Sequence, residues 1–246
     1  LPGTAAGRHL PSPVVRARRC AEPETLSGRD SILGKIREGL GRGALGESET
    51  SALEERIAAR GRSVRPSRVD LDADGLADLF VDYVKAVDTT VDRVASMDEV
   101  PGKVAEYLAR ENLPADLRLA PGPSLEGISW EKRPTLTISK GASDGTHEVS
   151  LTGAFAGVAE TGTLIMRSGP DHPTTLNFLP DTHIVVIRKS QVVGTYEDAW
   201  DRLREEDMPR TVNLITGASR TGDIEQTIFM GAHGPRRMHI VLVEDD

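Results

Sequence analysis

The chain has a single cysteine, Cys20, among 246 residues. No intrachain disulfide can form, so a reducing compartment, the cytoplasm, is the expected location. An iron–sulfur cluster normally takes four thiolates and a Cys-based zinc site at least two, so this chain alone can hold neither. Long apolar runs are absent too: residues 184–187 and 240–243 fall far short of the ~20 that cross a bilayer. There is no basic excess. Thirty Lys plus Arg against thirty-eight Asp plus Glu give a net charge of −8, which opposes attraction to phosphate backbones or anionic lipid. The six histidines, His9, His147, His172, His183, His233 and His239, show no spacing that puts two ligands on one helix face, so no metal site is expected.

What is present is enough for one sizeable core, since 38% of the residues are hydrophobic and the length suits one domain with appendages. Residues 1–27 read as a disordered or non-native extension, Arg-rich but without the apolar stretch of a secretory signal. Residues 28–69 read as an N-terminal helical segment and linker. Ile32, Leu33, Ile36 and Leu40 recur at helical spacing until Gly41 and Gly43, and a polar piece with Arg56, Arg60, Arg62, Arg65 and Arg68 leads to Pro66 and beyond.

Residues 70–246 carry the main domain. Leu76, Leu79, Phe80, Tyr83, Val84 and Val87 repeat with a 3.6 period, residues 91–94 alternate like a strand, and Asp98 opens a helix through Val104 and Leu108. Further strands are expected at residues 117–119, 136–138, 163–166, 183–187, 212–215 and 239–243, and helices at 196–204 and 224–230. Apolar strands alternating with amphipathic helices predict an α/β sheet, mostly parallel and covered on both faces. Ligands of such sheets bind at the carboxyl ends of strands.

Three turns hold candidate chemistry. In the first, Glu160, Thr161, Gly162 and Thr163 precede an apolar strand. Glu160 could serve as general base, electrostatic stabiliser or hydrogen-bond anchor, with Gly162 admitting a ligand close to the backbone, or it could be an exposed turn residue. In the second, Pro170 and Pro173 flank Asp171 and His172, holding an imidazole that titrates near neutral pH, although Gly-Pro-Asp is also ordinary turn chemistry. The third runs from Thr216 to Glu225. Gly217, Ser219, Arg220 and Thr221 lie between a strand and a helix expected to begin at Asp223, where amide hydrogens and a guanidinium would attract a carboxylate or phosphate. Asp223 could act in catalysis, or could cap that helix together with Gln226. His233, in the Gly-Ala-His-Gly-Pro segment that follows, could face the same cleft. All three turns are expected to share one pocket.

Taken in order, Gly157-Val158-Ala159-Glu160-Thr161-Gly162-Thr163, Gly169-Pro170-Asp171-His172-Pro173, Leu179-Pro180, Ile215-Thr216-Gly217-Ala218-Ser219-Arg220-Thr221-Gly222-Asp223-Ile224-Glu225 and Gly231-Ala232-His233-Gly234-Pro235 resemble the lactate utilization protein C family, the LUD domain. The likeness is dense over residues 149–243, while the helices from Asp30 fit by layout. It implies a three-layer α/β/α sandwich similar to the ribose-phosphate isomerase, glucosamine-phosphate deaminase and CoA-transferase group. It also implies a subunit of a system oxidising L-lactate to pyruvate, in which partner subunits carry the iron–sulfur clusters and this chain binds no cofactor by itself.

On that footing the expected catalytic residues are Glu160, His172 and Asp223. Thr161, Gly162, Thr163, Gly217, Ser219, Arg220, Thr221 and His233 are expected to bind a small carboxylate such as lactate or pyruvate. Two other readings stay open: a stand-alone enzyme of the same fold acting on CoA esters or sugar phosphates, and a non-catalytic regulatory or assembly protein.

Overall fold

A computed structural model describes residues 27–41, 43–223 and 226–244, so Cys20 and nearly all of the amino-terminal extension lie outside the described residues. The chain forms two compact units, Leu1–Gly61 and Arg62–Asp246. In the first, α1 (Gly28–Gly39) is capped by Ser27, whose hydroxyl accepts the Asp30 N–H, and α2 (Glu47–Ala59) begins where Glu49 accepts the Gly46 N–H. Neither helix contains a buried residue.

In the second unit, α3 (Ala73–Lys85) begins at Asp72, which accepts the Gly75 N–H at 2.8 Å. It is followed by β1 (Thr89–Val94), α4 (Val100–Arg110), β2 (Asp116–Leu119), β3 (Thr137–Lys140) and β4 (Val149–Gly153). Then come β5 (Ala156–Val158), β6 (Thr163–Arg167), the single turn α5 (Thr175–Phe178), β7 (Thr182–Arg188) and β8 (Val192–Val193). The chain ends with α6 (Tyr196–Arg204), β9 (Val212–Ile215), β10 (Arg220–Thr221), β11 (Phe229–Met230) and β12 (Arg237–Val243).

The architecture is α/β, as expected. Six parallel strands make the central sheet in the order β1-β12-β7-β4-β2-β3. The two-residue period of β7 and β12 divides the core. Ile184, Val186, Val241 and Val243 face Val100, Val104, Tyr107 and Leu108 of α4, while Val185, Ile187, Ile240 and Leu242 face Ala77, Phe80, Val81 and Val84 of α3. Burial on both faces is why these strands read as unbroken apolar runs.

Two expectations are corrected. The segments at 163–166 and 212–215 do form strands, but they join a separate four-stranded sheet, β8-β5-β6-β9, whose β5–β6 and β6–β9 pairs are antiparallel. Only four residues connect β5 to β6, too few for the crossover a parallel pair requires. Leu164 and Met166 of this sheet pack on the α3 core, and Ala199 of α6 covers its other face with Ile165 and Val158.

The second correction concerns the helix expected at 224–230. Phe229 and Met230 are instead a strand paired with Thr221 and Arg220, and Gly231 N–H bonds the Ser219 carbonyl at 2.8 Å. These ladder bonds use backbone groups that a helix would have needed. Ile224 and Glu225 lie outside the described residues.

Candidate functional site

The three turns do not share one pocket. The Glu160 turn and the Thr216–Thr221 turn meet at the Thr163 end of β6, where the hydroxyls of Thr163 and Thr216 are 2.7 Å apart. His172 lies beyond the Arg167 end, roughly 13 Å away along the strand at ~3.3 Å per residue.

At the first end, the carboxylate of Glu160 is largely buried. Its Oε1 accepts the Tyr196 N–H at 3.0 Å, and Oε2 lies 4.0 Å from Nη2 of Arg68. The acid therefore satisfies a backbone N–H in the first turn of α6 that has no partner within the helix. Thr161, Thr163 and the Tyr196 hydroxyl form a connected set at 2.7–3.1 Å. Gly162 and Gly217 press against the backbone at Val84 and Val87. Arg220 donates from Nη1 to Asp88 at 3.1 Å, and among the described residues no helix begins next to it to turn a dipole on it. Asp223 is exposed, its N–H bonding the Thr221 hydroxyl at 3.3 Å. Ser219 accepts the His233 N–H on its hydroxyl at 3.3 Å, and the His233 side chain is exposed.

The other end opens into a cleft of about 300 Å³ lined by Ser124, Phe155, Arg167, Asp171, His172 and Glu206, among others. Its position follows from the topology. After β2 the chain runs outward to β3, and after β4 it turns the opposite way toward β7. The loops leaving the carboxyl ends of these neighbouring strands therefore part, which is where open α/β sheets bind ligands. Ser124 comes from the first loop and Phe155 from the second.

His172 is fixed by its own turn, with reciprocal backbone bonds to Gly169 at 3.1 and 3.3 Å. Its Nε2 lies 3.3 Å from the Ser124 hydroxyl, and a Cβ on Gly122 would come within 2.8 Å of the ring. Burial and then the Arg167 charge push the imidazole pKa down against an opposing pull from Asp171, so the ring is neutral at pH 7 and free to accept a proton. Arg167 lies over the Phe155 ring, 5.0 Å from its centroid, and pairs with Glu206 through Nη1. Among the described residues no group of three or more His, Cys, Asp or Glu side chains is placed to hold a metal ion.

Of the expected catalytic residues, only His172 lies in this cleft. Ser124, Arg167 and Glu206 were missed. A Gly-Pro-Ser loop just past an apolar strand and an Arg closing another were the signals available for two of them; Glu206 stands among Glu205 and Asp207 with nothing to single it out.

The LUD domain family model matches residues 77–243, more than half of the chain. The chain belongs to the LUD domain family. Among its relatives, an uncharacterized protein of Neisseria meningitidis is 38% identical over 101 residues, covering 40% of this chain and 43% of that protein. Lactate utilization protein C of Bacillus subtilis is 33% identical over 102 residues, covering 39% and 42%. Lactate utilization protein C of Deinococcus radiodurans is 32% identical over 153 residues, covering 60% of this chain and 70% of the relative. The matches thus span less than half of the first two relatives and over two thirds of the third. The crystal structure of a DUF162 family protein from Deinococcus radiodurans superimposes with a TM-score of 0.52 at 26% identity, covering 70% of this chain and 99% of that one. No helix of this LUD domain protein, among the described residues, is long and apolar enough to cross a membrane.

Proposed function

We propose that this LUD domain protein acts in lactate utilization, with the His172 cleft holding a small 2-hydroxy or 2-oxo carboxylate. Relatives named lactate utilization protein C support the metabolic role. The observation that carries the site is one cleft, at the divergence of β2 and β4, containing both a guanidinium and an imidazole held neutral. Arg167 supplies donors for the carboxylate. His172 accepts the hydroxyl proton as C2 of lactate gives up a hydride equivalent, and Ser124 orients the ring. Oxidation to pyruvate releases two electrons and two protons; His172 would take the hydroxyl proton, and partner chains of a cytoplasmic assembly would have to supply the acceptor for the two electrons and the C2 proton, with iron–sulfur clusters on those chains carrying the electrons onward. In this reading Glu160 and Arg220 hold the opposite end of the second sheet together.

Calorimetric titration with L-lactate and pyruvate tests the site. Arg167→Met is expected to weaken binding at least about tenfold, the effect of losing charge-assisted hydrogen bonds, with an unchanged circular dichroism spectrum. Failure of the parent protein to bind either acid, or equal binding by the variant, would remove the cleft from consideration.

A further inference from the structure

We propose that the amino-terminal unit is a self-association element, in which α2 of one copy packs antiparallel on α2 of a second copy about a two-fold axis. Neither α1 nor α2 contains a buried residue, and at 12 and 13 residues both have the length at which a helix in water is marginal by itself. Each nevertheless carries large apolar side chains one turn apart: Ile32, Ile36 and Leu40 along α1 and its cap, Leu53 and Ile57 along α2, with Leu45 just ahead of it. Leu53 is 38% exposed and the other five between 51% and 74%. That leaves on the order of 600 Å² of apolar surface per copy, against the roughly 800 Å² per partner of a standard interface, whose remainder is a polar rim.

The features of α2 match their own two-fold copy. A groove of about 550 Å³ is lined by Ala44, Leu45, Glu49, Ala52 and Leu53, among others. Ile57, the most exposed of the six apolar residues, stands one turn beyond it. When two α2 helices run antiparallel with Leu53 opposite Ile57 of the other copy, each Ile57 enters the other copy's groove, and one patch serves both sides of the contact. Charge favours the same register. Glu47 and Glu49 occupy the first turn of α2, Arg56 the last turn and Arg60 its cap. Antiparallel pairing sets each acidic start against a basic end, with Glu49 opposite Arg60 of the other copy, whereas parallel pairing sets like charges side by side. A second copy of this chain is thus a partner that fits α2 in both shape and charge.

Sedimentation velocity and light scattering on the full chain test this. The parent is expected to have twice the mass of one chain at tens of micromolar. Ile57→Glu should weaken association at least about a hundredfold, because the two-fold axis removes two buried side chains at once. Val64→Glu, which makes the same kind of change at a side chain left more exposed still and outside this unit, should keep the parental dissociation constant. Arg60→Glu and Glu49→Lys should each weaken self-association about fivefold or more at low salt. Mixed one to one they should associate as the parent does, since every Glu49–Arg60 contact in the mixed pair again joins opposite charges. Recovery on mixing is a readout that a damaged helix cap could not give. A monomeric parent, an Ile57→Glu variant that stays dimeric, dissociation by Val64→Glu, or two charge variants that fail to recover when mixed would each overturn the proposal.

Discussion

Acidification from pH 7 to pH 5 is expected to remove about 4 kcal/mol of unfolding free energy, because two histidines are buried in the parallel sheet without charge. His183 on β7 is fully buried, its Nε2 bonded to the Thr152 hydroxyl at 2.8 Å and its Nδ1 unpartnered among the described residues. Burial pushes its pKa down to about 3. His239 on β12 is equally enclosed, stacked on Tyr107 with ring centroids 4.0 Å apart, and its Nδ1 lies 2.8 Å from the Thr90 hydroxyl. Burial pushes it down to about 4, with Asp92, 3.5 Å from Nε2, pulling upward and Arg110 adding to the fall.

Above pH ~6.5 neither the folded nor the unfolded chain protonates these rings, and stability from this source is complete. Below it the unfolded chain takes up both protons and the native state neither. Each pH unit then costs about 1.4 kcal/mol per ring, and 1.5 units across two rings give about 4. The loss continues until His239 protonates in the native state near pH 4 and His183 near pH 3. Urea unfolding at pH 7, 6 and 5 measures it, and His183→Gln should roughly halve the dependence. A midpoint unchanged between pH 7 and 5 would show that the rings are not held neutral as their burial requires.

A loss of roughly 2–5 kcal/mol is expected for Gly162→Ala, and likewise for Gly217→Ala. Both glycines are left-handed, at φ of +66° and +78°. A Cβ on Gly162 would stand 2.8 Å from the Val84 nitrogen and the Tyr83 Cβ, and one on Gly217 would stand 2.5 Å from the Val87 carbonyl oxygen. Half of the atoms in the way are backbone near the end of α3 and two more are Cβ atoms, which cannot swing aside as the far end of a flexible side chain would. Left-handed strain contributes about 1–2 kcal/mol and overpacking about 1–3. Gly222→Ala, where a Cβ meets nothing within 4 Å, is the control and should change stability by under about 0.5 kcal/mol. The same variants separate two roles for these glycines. Near-parental stability with lost carboxylate binding would mean that they serve a ligand, as their motifs suggested, and not the packing against α3.

Periodicity along the chain was sufficient to find α3, α4, α6, β7 and β12, because an apolar face leaves its spacing in consecutive residues whatever it packs on. The ordered turn motifs were likewise sufficient to indicate the LUD domain, and His172 stood out by its flanking prolines. Partner choice was not legible. Residues 163–166 looked like any buried strand until their antiparallel pairing with β5 and β9 placed them in a second sheet. The Arg220 turn looked like a helix entrance until Arg220 and Thr221 paired with Met230 and Phe229. Glu160 looked like a base until α6, 36 positions later, presented an amide to it. Ser124, Arg167, His172 and Glu206 come from separate stretches of the chain, and only the divergence of the loops after β2 and β4, with the loop after α6, brings them around one cleft. Local patterns record which side of a segment is buried; which distant groups meet there depends on strand order and crossing direction, which folding of the whole domain decides.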